Sequence, residues 1–225
     1  DGDDLISKNM YQNFYYNMKA YDADLTIGNL IRVSKDYQQF IVTNPELPTP
    51  FNIAKNKHIL WNQDPSCGPK LFRRDLIEGE KFMEGKLYED LAFTYPVLLK
   101  SKRALLFHRA DYFYRTNPQG IMSSTLKPNK KILDILDAVI VLRKRCIELG
   151  KYAEYEDYIE NLIKEHLIYM LSYVMVWEIP ELKKQEILNL LQQLCEIIAP
   201  NHTEVAEIIR IKLKDILQNL NHKII

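Results

Sequence analysis

Tyr88-Glu89-Asp90-Leu91-Ala92-Phe93-Thr94-Tyr95 sets two adjacent carboxylates at the head of an apolar run. Leu87, Leu91, Tyr95, Leu98 and Leu99 recur at helical spacing, which predicts a helix over Leu87–Lys100 with one face packed inward. Pro96 stands inside that run and lacks a backbone donor, so a kink or an early break is expected there. Acids in a first helical turn are favoured by the positive end of the helix dipole, which gives Glu89 and Asp90 an ordinary structural explanation. The chemical explanation is that one of them is a general base at the mouth of a site. Choosing between the two needs support from the rest of the chain.

The N-terminal residues are Asp1-Gly2-Asp3-Asp4. Carboxylates two positions apart can converge on a hard divalent cation such as Mg²⁺ or Mn²⁺. An EF-hand is excluded, because Leu5 and Ile6 occupy positions where that loop needs a ligand and a glycine. Taken alone, such acids are more often a solvated turn or a helix cap than a metal site. Met10, Phe14 and Met18 then recur every four residues, predicting an amphipathic helix over Ser7–Tyr21 with Ser7 as its cap. Asp24–Val33 and Tyr37–Val42 are rich in β-formers on either side of Ser34-Lys35-Asp36, so a hairpin is predicted.

Asn44–Pro69 carries Pro45, Pro48, Pro50, Pro65 and Pro69 and reads as a long loop. Its Phe51, His58 and Trp61 suit either a sugar-stacking surface or a plug onto the body of the domain. Lys70–Leu76 reads as a short helix whose Lys70, Arg73 and Arg74 form a basic cluster. That cluster is either a solvated face or a site for phosphate or a charged acceptor, for which the arginine fork is suited. Ala104–His108 and Tyr112–Thr116 read as a second hairpin, with His108 near its turn. From Lys130 onward the pattern is helical: Lys130–Leu149, Tyr152–Trp177, Glu181–Ile198 and His202–Asn219, punctuated by Gly150, Pro180 and Pro200. Leu167–Trp177 is apolar on nearly all sides and too short to span a bilayer, so it is expected at the buried centre of a helical bundle.

The 225 residues include 30 basic and 30 acidic side chains, and this balance argues against general nucleic-acid binding. Cys67, Cys146 and Cys195 are widely spaced and form neither a disulfide framework nor a zinc pattern. Free thiols fit a reducing cytoplasm, up to the inner face of its membrane. The class expected is α+β, mostly α.

Four motifs and one intervening strand, in order, resemble the family-two glycosyltransferases of the GT-A fold. Asp1-Gly2-Asp3-Asp4 is similar to the DxD motif, and Ala23-Asp24-Leu25-Thr26-Ile27 to the strand that follows it. Cys67-Gly68-Pro69-Lys70-Leu71-Phe72-Arg73-Arg74 resembles a third segment. Phe82 to Asp90 resembles the segment ending in the Glu-Asp pair, and Tyr112-Phe113-Tyr114-Arg115 the strand beyond it. The family's following serine is replaced here by Gly120. The resemblance covers residues 1–125 and implies the acceptor-side part of a GT-A domain, with a C-terminal helical bundle over residues 126–225. It also implies that the nucleotide-binding βαβ half belongs before the DxD motif, so that the chain reads as a C-terminal part with no transfer activity of its own. The implied chemistry is inverting transfer of a sugar from a nucleotide-sugar donor, a UDP-sugar, to a carbohydrate or glycoconjugate acceptor, in bacterial cell-surface polysaccharide synthesis. Asp1 and Asp3 would hold Mn²⁺ or Mg²⁺, Asp90 and then Glu89 would supply the base, and Lys70, Arg73, Tyr112, Tyr114 and Arg115 would bind substrate. The alternative is a non-catalytic helical module for interaction or homo-oligomerisation.

Overall fold

Strand β2 (Leu25–Val33) is the axis of the molecule, and every other strand but one pairs with it. The computed structural model describes residues 2–34, 38–41, 50–198, 211–212 and 215–217. The expected hairpin is present, with β3 (Gln38–Ile41) antiparallel to the second half of β2. On its other edge β2 pairs in parallel with β5 (Ala104–Arg115), whose far end pairs with β1 (Leu5–Ile6). Helix α1 (Met10–Ala20) lies between β1 and β2 and buries Met10, Phe14 and Met18, the stripe expected from spacing. Its N-cap is Asn9, without a side-chain bond, rather than Ser7.

Two local expectations are corrected. Lys70–Phe72 is not helical; it forms β4, antiparallel to Leu25–Ile27, and only Arg74–Ile77 (α2) is helix. The first half of β2 has backbone groups free on this edge, and pairing them outweighs a weak local helical pattern. The Gly28 N–H continues the pairing by donating to Pro69 O at 2.7 Å. Gly68 lets the chain approach: a Cβ there would collide with the Tyr112 ring.

The second predicted hairpin is instead the single strand β5, because the residues read as its turn form a bulge. Gly28 pairs with Phe107, Asn29 with Ala110 and Leu30 with Tyr112. Asn29, buried between the strands, donates to His108 O at 2.8 Å and satisfies a carbonyl that the bulge removes from the ladder. The bulge also reverses which positions face which layer. Ala104 and Leu106 join the large core with α3, whereas Leu105 and Phe107 lie with α1 residues. Beyond it, Tyr112 and Tyr114 lie on the α1 side.

Helix α3 (Glu89–Lys100) is buried along Leu91–Leu99. It does not break at Pro96. The carbonyl that Pro96 cannot serve is that of Ala92, four residues back. Arg145 donates to Ala92 O at 2.8 Å and to Lys81 O at 2.6 Å, so the helix keeps its hydrogen-bond count. A short turn follows, fastened by Asp24, which accepts from Ser101 Oγ at 2.5 Å and from the Lys102 N–H at 2.8 Å. The chain then enters β5, so α3 runs back along the sheet with Glu89 and Asp90 toward the carboxyl ends of β2 and β5.

Three further helices complete the α+β, mostly helical fold: α4 (Asp134–Glu148), α5 (Tyr152–Met175) and α6 (Glu181–Ile198). Gly150, at φ +64°, takes the left-handed conformation that closes α4. One buried apolar cluster runs from Leu25 and Ile27 through α3 to Leu136, Val139, Leu162, Trp177 and Leu191. Leu167–Trp177 is not buried on all sides: Leu167, Met170, Val174 and Trp177 are, while Ile168, Tyr169, Met175 and Val176 are exposed. Of the fourth expected helix, Ile211–Lys212 and Asp215–Leu217 are helical and the remainder lies outside the described residues. No described helix is long and apolar enough to cross a membrane.

Candidate functional site

Helix α3 begins under backbone strain. Tyr88, its N-cap, sits at φ +61°, a left-handed conformation that costs a bulky residue roughly 1–2 kcal/mol. Its hydroxyl is buried without a hydrogen-bond partner. Glu89 and Asp90 follow in the first turn, where an Asp90 oxygen accepts the Leu91 N–H at 2.8 Å. Burial, and then the negative charge of Glu89, push the Asp90 carboxyl from its ordinary 3.8 to about 6. The Leu91 N–H and Lys70 pull weakly the other way.

The floor of this site is the segment Gln63–Ser66, held by four consecutive carbonyls. Gln63 O accepts from Tyr95 at 2.7 Å and Pro65 O from Thr94 at 2.5 Å. Asp64 O and Ser66 O both accept from the Lys70 ammonium, each at 2.6 Å. Lys70 is therefore a buried clamp rather than an exposed hand; burial lowers its pKa, against the pull of Asp64 and Asp90. Asp64 folds its carboxylate onto the Ser66 N–H at 2.8 Å, an Asx turn that its place before Pro65 favours. The Cys67 thiol, 3.3 Å from the Thr94 hydroxyl, is pushed up by burial.

A second group lies at the carboxyl end of β5. Asp4 accepts from the Tyr112 hydroxyl at 2.5 Å and from the Arg115 N–H at 2.9 Å. Asp3 is exposed and accepts from the Asn117 amide at 3.2 Å. Tyr112 is buried as a wall of the α1 core, Tyr114 is half-buried against Arg32, and the Arg115 side chain is exposed. Arg73 is in neither group. Its N–H donates to Asp24 O at the amino end of β2, and its exposed guanidinium pairs with Asp75 at 2.7 Å.

The structure thus brings Asp90, Glu89 and Lys70 together, sets Tyr112, Tyr114 and Arg115 in the last residues of β5 with Asp3 beside that end, and leaves Arg73 apart. Asp1 lies outside the described residues. Among the described residues no three His, Cys, Asp or Glu side chains converge as a metal site. Asp3 is an accessible carboxylate that suits one coordination position of a hard cation. Phe51 is a core plug, paired with Ala104 through the backbone, and His58 is exposed. Sequence reasoning missed Asp64, Thr94, Tyr95 and Arg32. Asp64-Pro65-Ser66 carried a turn signal, but nothing local marked the other three.

No protein-family model matches the chain, and no curated protein matches it. Among solved structures, the chain is similar to Staphylococcus aureus TarS 1-349 in complex with UDP-GlcNAc, at 15% identity and a TM-score of 0.48, covering 86% of this chain and 62% of that one. The same TarS segment without ligand gives 16% identity and a TM-score of 0.42 over 86% of this chain and 60% of that one. The chain spans about three-fifths of the length of these two TarS chains.

Proposed function

We propose that the chain carries the acceptor side of an inverting glycosyltransferase in which Asp90 is the general base. The observation that carries the reading is Asp90 itself, a carboxylate raised to about 6 at the open end of α3 and backed by Glu89. A base with that pKa is ionised at neutral pH, yet retains affinity for a proton, the compromise that general-base catalysis requires. The order of the four motifs supports the same reading.

In this mechanism the acceptor hydroxyl approaches Asp90 from the solvent side. Asp90 takes its proton as the oxygen attacks the anomeric carbon, and the nucleoside diphosphate leaves from the opposite face, inverting the centre. Glu89 keeps Asp90 basic through its charge. Tyr112 and Lys70 build the walls and floor, and Tyr114 and Arg115 lie nearer the substrate. Asp3, with Asp1, would hold a divalent metal, whose chemistry is to offset charge on the leaving diphosphate. The donor proposed is a UDP-sugar and the acceptor a carbohydrate or glycoconjugate of the cell surface.

The test is transfer by a protein that joins these residues to a nucleotide-binding half. Asp90→Asn should lower the rate by roughly two to four powers of ten and leave donor binding unchanged. Wild-type transfer should rise with pH through about 6, where Asp90 ionises. If Asp90→Asn stays active while Glu89→Gln is dead, the base is Glu89.

A second reading, a helical surface for self-association, is favoured by Ile168, Met175 and Val176, exposed on α5 at spacings that share one face. Light scattering tests it: a monomer that stays a monomer at high concentration argues against it.

A further inference from the structure

Asp134 opens α4, where the positive end of the helix dipole favours an acid. Its carboxylate reaches across to the segment before α3. One oxygen accepts the Leu87 N–H at 3.1 Å, and the other accepts from the Lys86 ammonium, also at 3.1 Å. Asp137, one turn on, takes the same ammonium at 2.9 Å. Asp134 and Leu87 are both buried, so the charge-assisted bond between them is shielded from water.

That segment needs an external hold. Residues 84–87 form neither helix nor strand, and Gly85 is left-handed at φ +69°. Tyr88 is left-handed as well, a conformation that a bulky residue keeps only where its neighbours fix it. As the N-cap of α3 it gives no side-chain bond to the free N–H groups of the first turn. Asp90 itself takes one of them, that of Leu91. The helix that carries Asp90 therefore starts without a cap, and the hydrogen bond immediately before it comes from α4. Roughly three turns further along α4, Arg145 donates to Ala92 O and Lys81 O. Asp134 thus holds the backbone entering the first turn of α3, and Arg145 holds the carbonyl that ends it.

We propose that Asp134 is a positioning residue for Asp90: from α4 it fixes the uncapped start of α3 and so keeps the base in its buried place. This rests on the assignment of Asp90 as the base, and it gives the C-terminal helices a part in the reaction. The charges that chiefly act on Asp90 are those of Glu89, Asp64 and Lys70. That of Asp134 is not among them, so Asp134 acts through the backbone of Leu87 and Tyr88. Without the bond to Leu87 the first turn frays, water reaches Asp90, and its carboxyl falls back toward the ordinary range.

Titration of the Asp90 carboxyl in the full chain, followed by its carbon-13 chemical shift, tests this without donor or acceptor. In the wild type the midpoint is expected at about 6. Asp134→Ala removes both charge and acceptor, and should move the midpoint toward 3.8 by about one pH unit or more. Asp134→Asn removes the charge but keeps an acceptor for the Leu87 N–H, and should leave it within about half a pH unit of wild type. Lys86→Met, which leaves the Leu87 bond in place, should do the same. A midpoint unmoved by Asp134→Ala would overturn the proposal. So would equal movement in Asp134→Ala and Asp134→Asn, because only the charge would then be felt. Should Asp134→Ala not fold, hydrogen exchange in the wild type decides. The Leu87 amide should exchange at least about tenfold more slowly than the exposed Gly85 amide, and equal rates overturn the proposal. A fully active Asp90→Asn variant would remove the base yet leave these titrations as they are, so the two failures are told apart.

Discussion

The burial that raises the Asp90 carboxyl also destabilises the fold around it. Its carboxyl is raised from 3.8 to about 6. Below about pH 4 the folded and unfolded chains both hold the proton, and nothing is lost. Between the two values the unfolded chain releases its proton first, so stability falls as pH rises; above about 6 the loss is complete. A shift of this size corresponds to about 3 kcal/mol. Asp90→Asn, which keeps the Leu91 contact and removes the charge, should therefore stabilise the chain by roughly 1–3 kcal/mol near pH 7.5 and by almost nothing near pH 3.5. Urea unfolding at the two pH values measures this, and equal effects at both would contradict a buried charge. The place of Asp90 is legible because an acid in a first turn before an apolar run is a local signal. That of Lys70 is not: beside Arg73 and Arg74 it reads as surface. Only the pairing of β4 with β2, a contact far along the chain, carries it inside.

At the scale of elements, α3 survives its proline through a side chain from α4. Arg145→Met would leave Ala92 O and Lys81 O without their donor, at a cost of about 1–3 kcal/mol. Pro96→Ala restores the helical N–H that Ala92 O lacks. In that background the cost of Arg145→Met should shrink, and a double-mutant cycle read by denaturant midpoints measures the difference. Additive losses would mean that Arg145 serves Lys81 alone. The strands show where local reading ends. The α1 stripe and the first hairpin follow from spacing and turn chemistry within a few residues. The β5 bulge depends on Asn29, and β4 depends on an open edge of β2; both partners lie tens of residues away.

Over the whole molecule, the buried cluster joins the sheet to α6 without interruption. Trp177 sits in it and donates to Thr125 O at 2.8 Å, tying the residues just after α5 to the segment that follows β5. Unfolding followed by tryptophan fluorescence and by far-ultraviolet circular dichroism should therefore give coincident transitions. Two separated transitions would mark residues 126–225 as an independently folding unit. Helices α4, α5 and α6 were legible from periodicity and from Gly150 and Pro180. Their burial was less so, because an apolar run shows hydrophobicity but not which side meets a neighbour, and Ile168, Tyr169, Met175 and Val176 meet none that buries them.

The β5 bulge has a consequence for how this chain can change in length. Because it switches the side to which alternate residues point, the segment around His108–Asp111 acts as a frame marker. Leu105 and Phe107 before it and Tyr112 and Tyr114 after it share the α1 side, so losing a single residue there restores plain alternation and keeps Tyr112 against Met10 and Phe14 and on Asp4. Losing a residue between an intact bulge and Tyr112 would instead swing Tyr112 and Tyr114 to the helical layer and bring Phe113 against α1. One-residue deletions should therefore be tolerated inside the bulge and not beyond it.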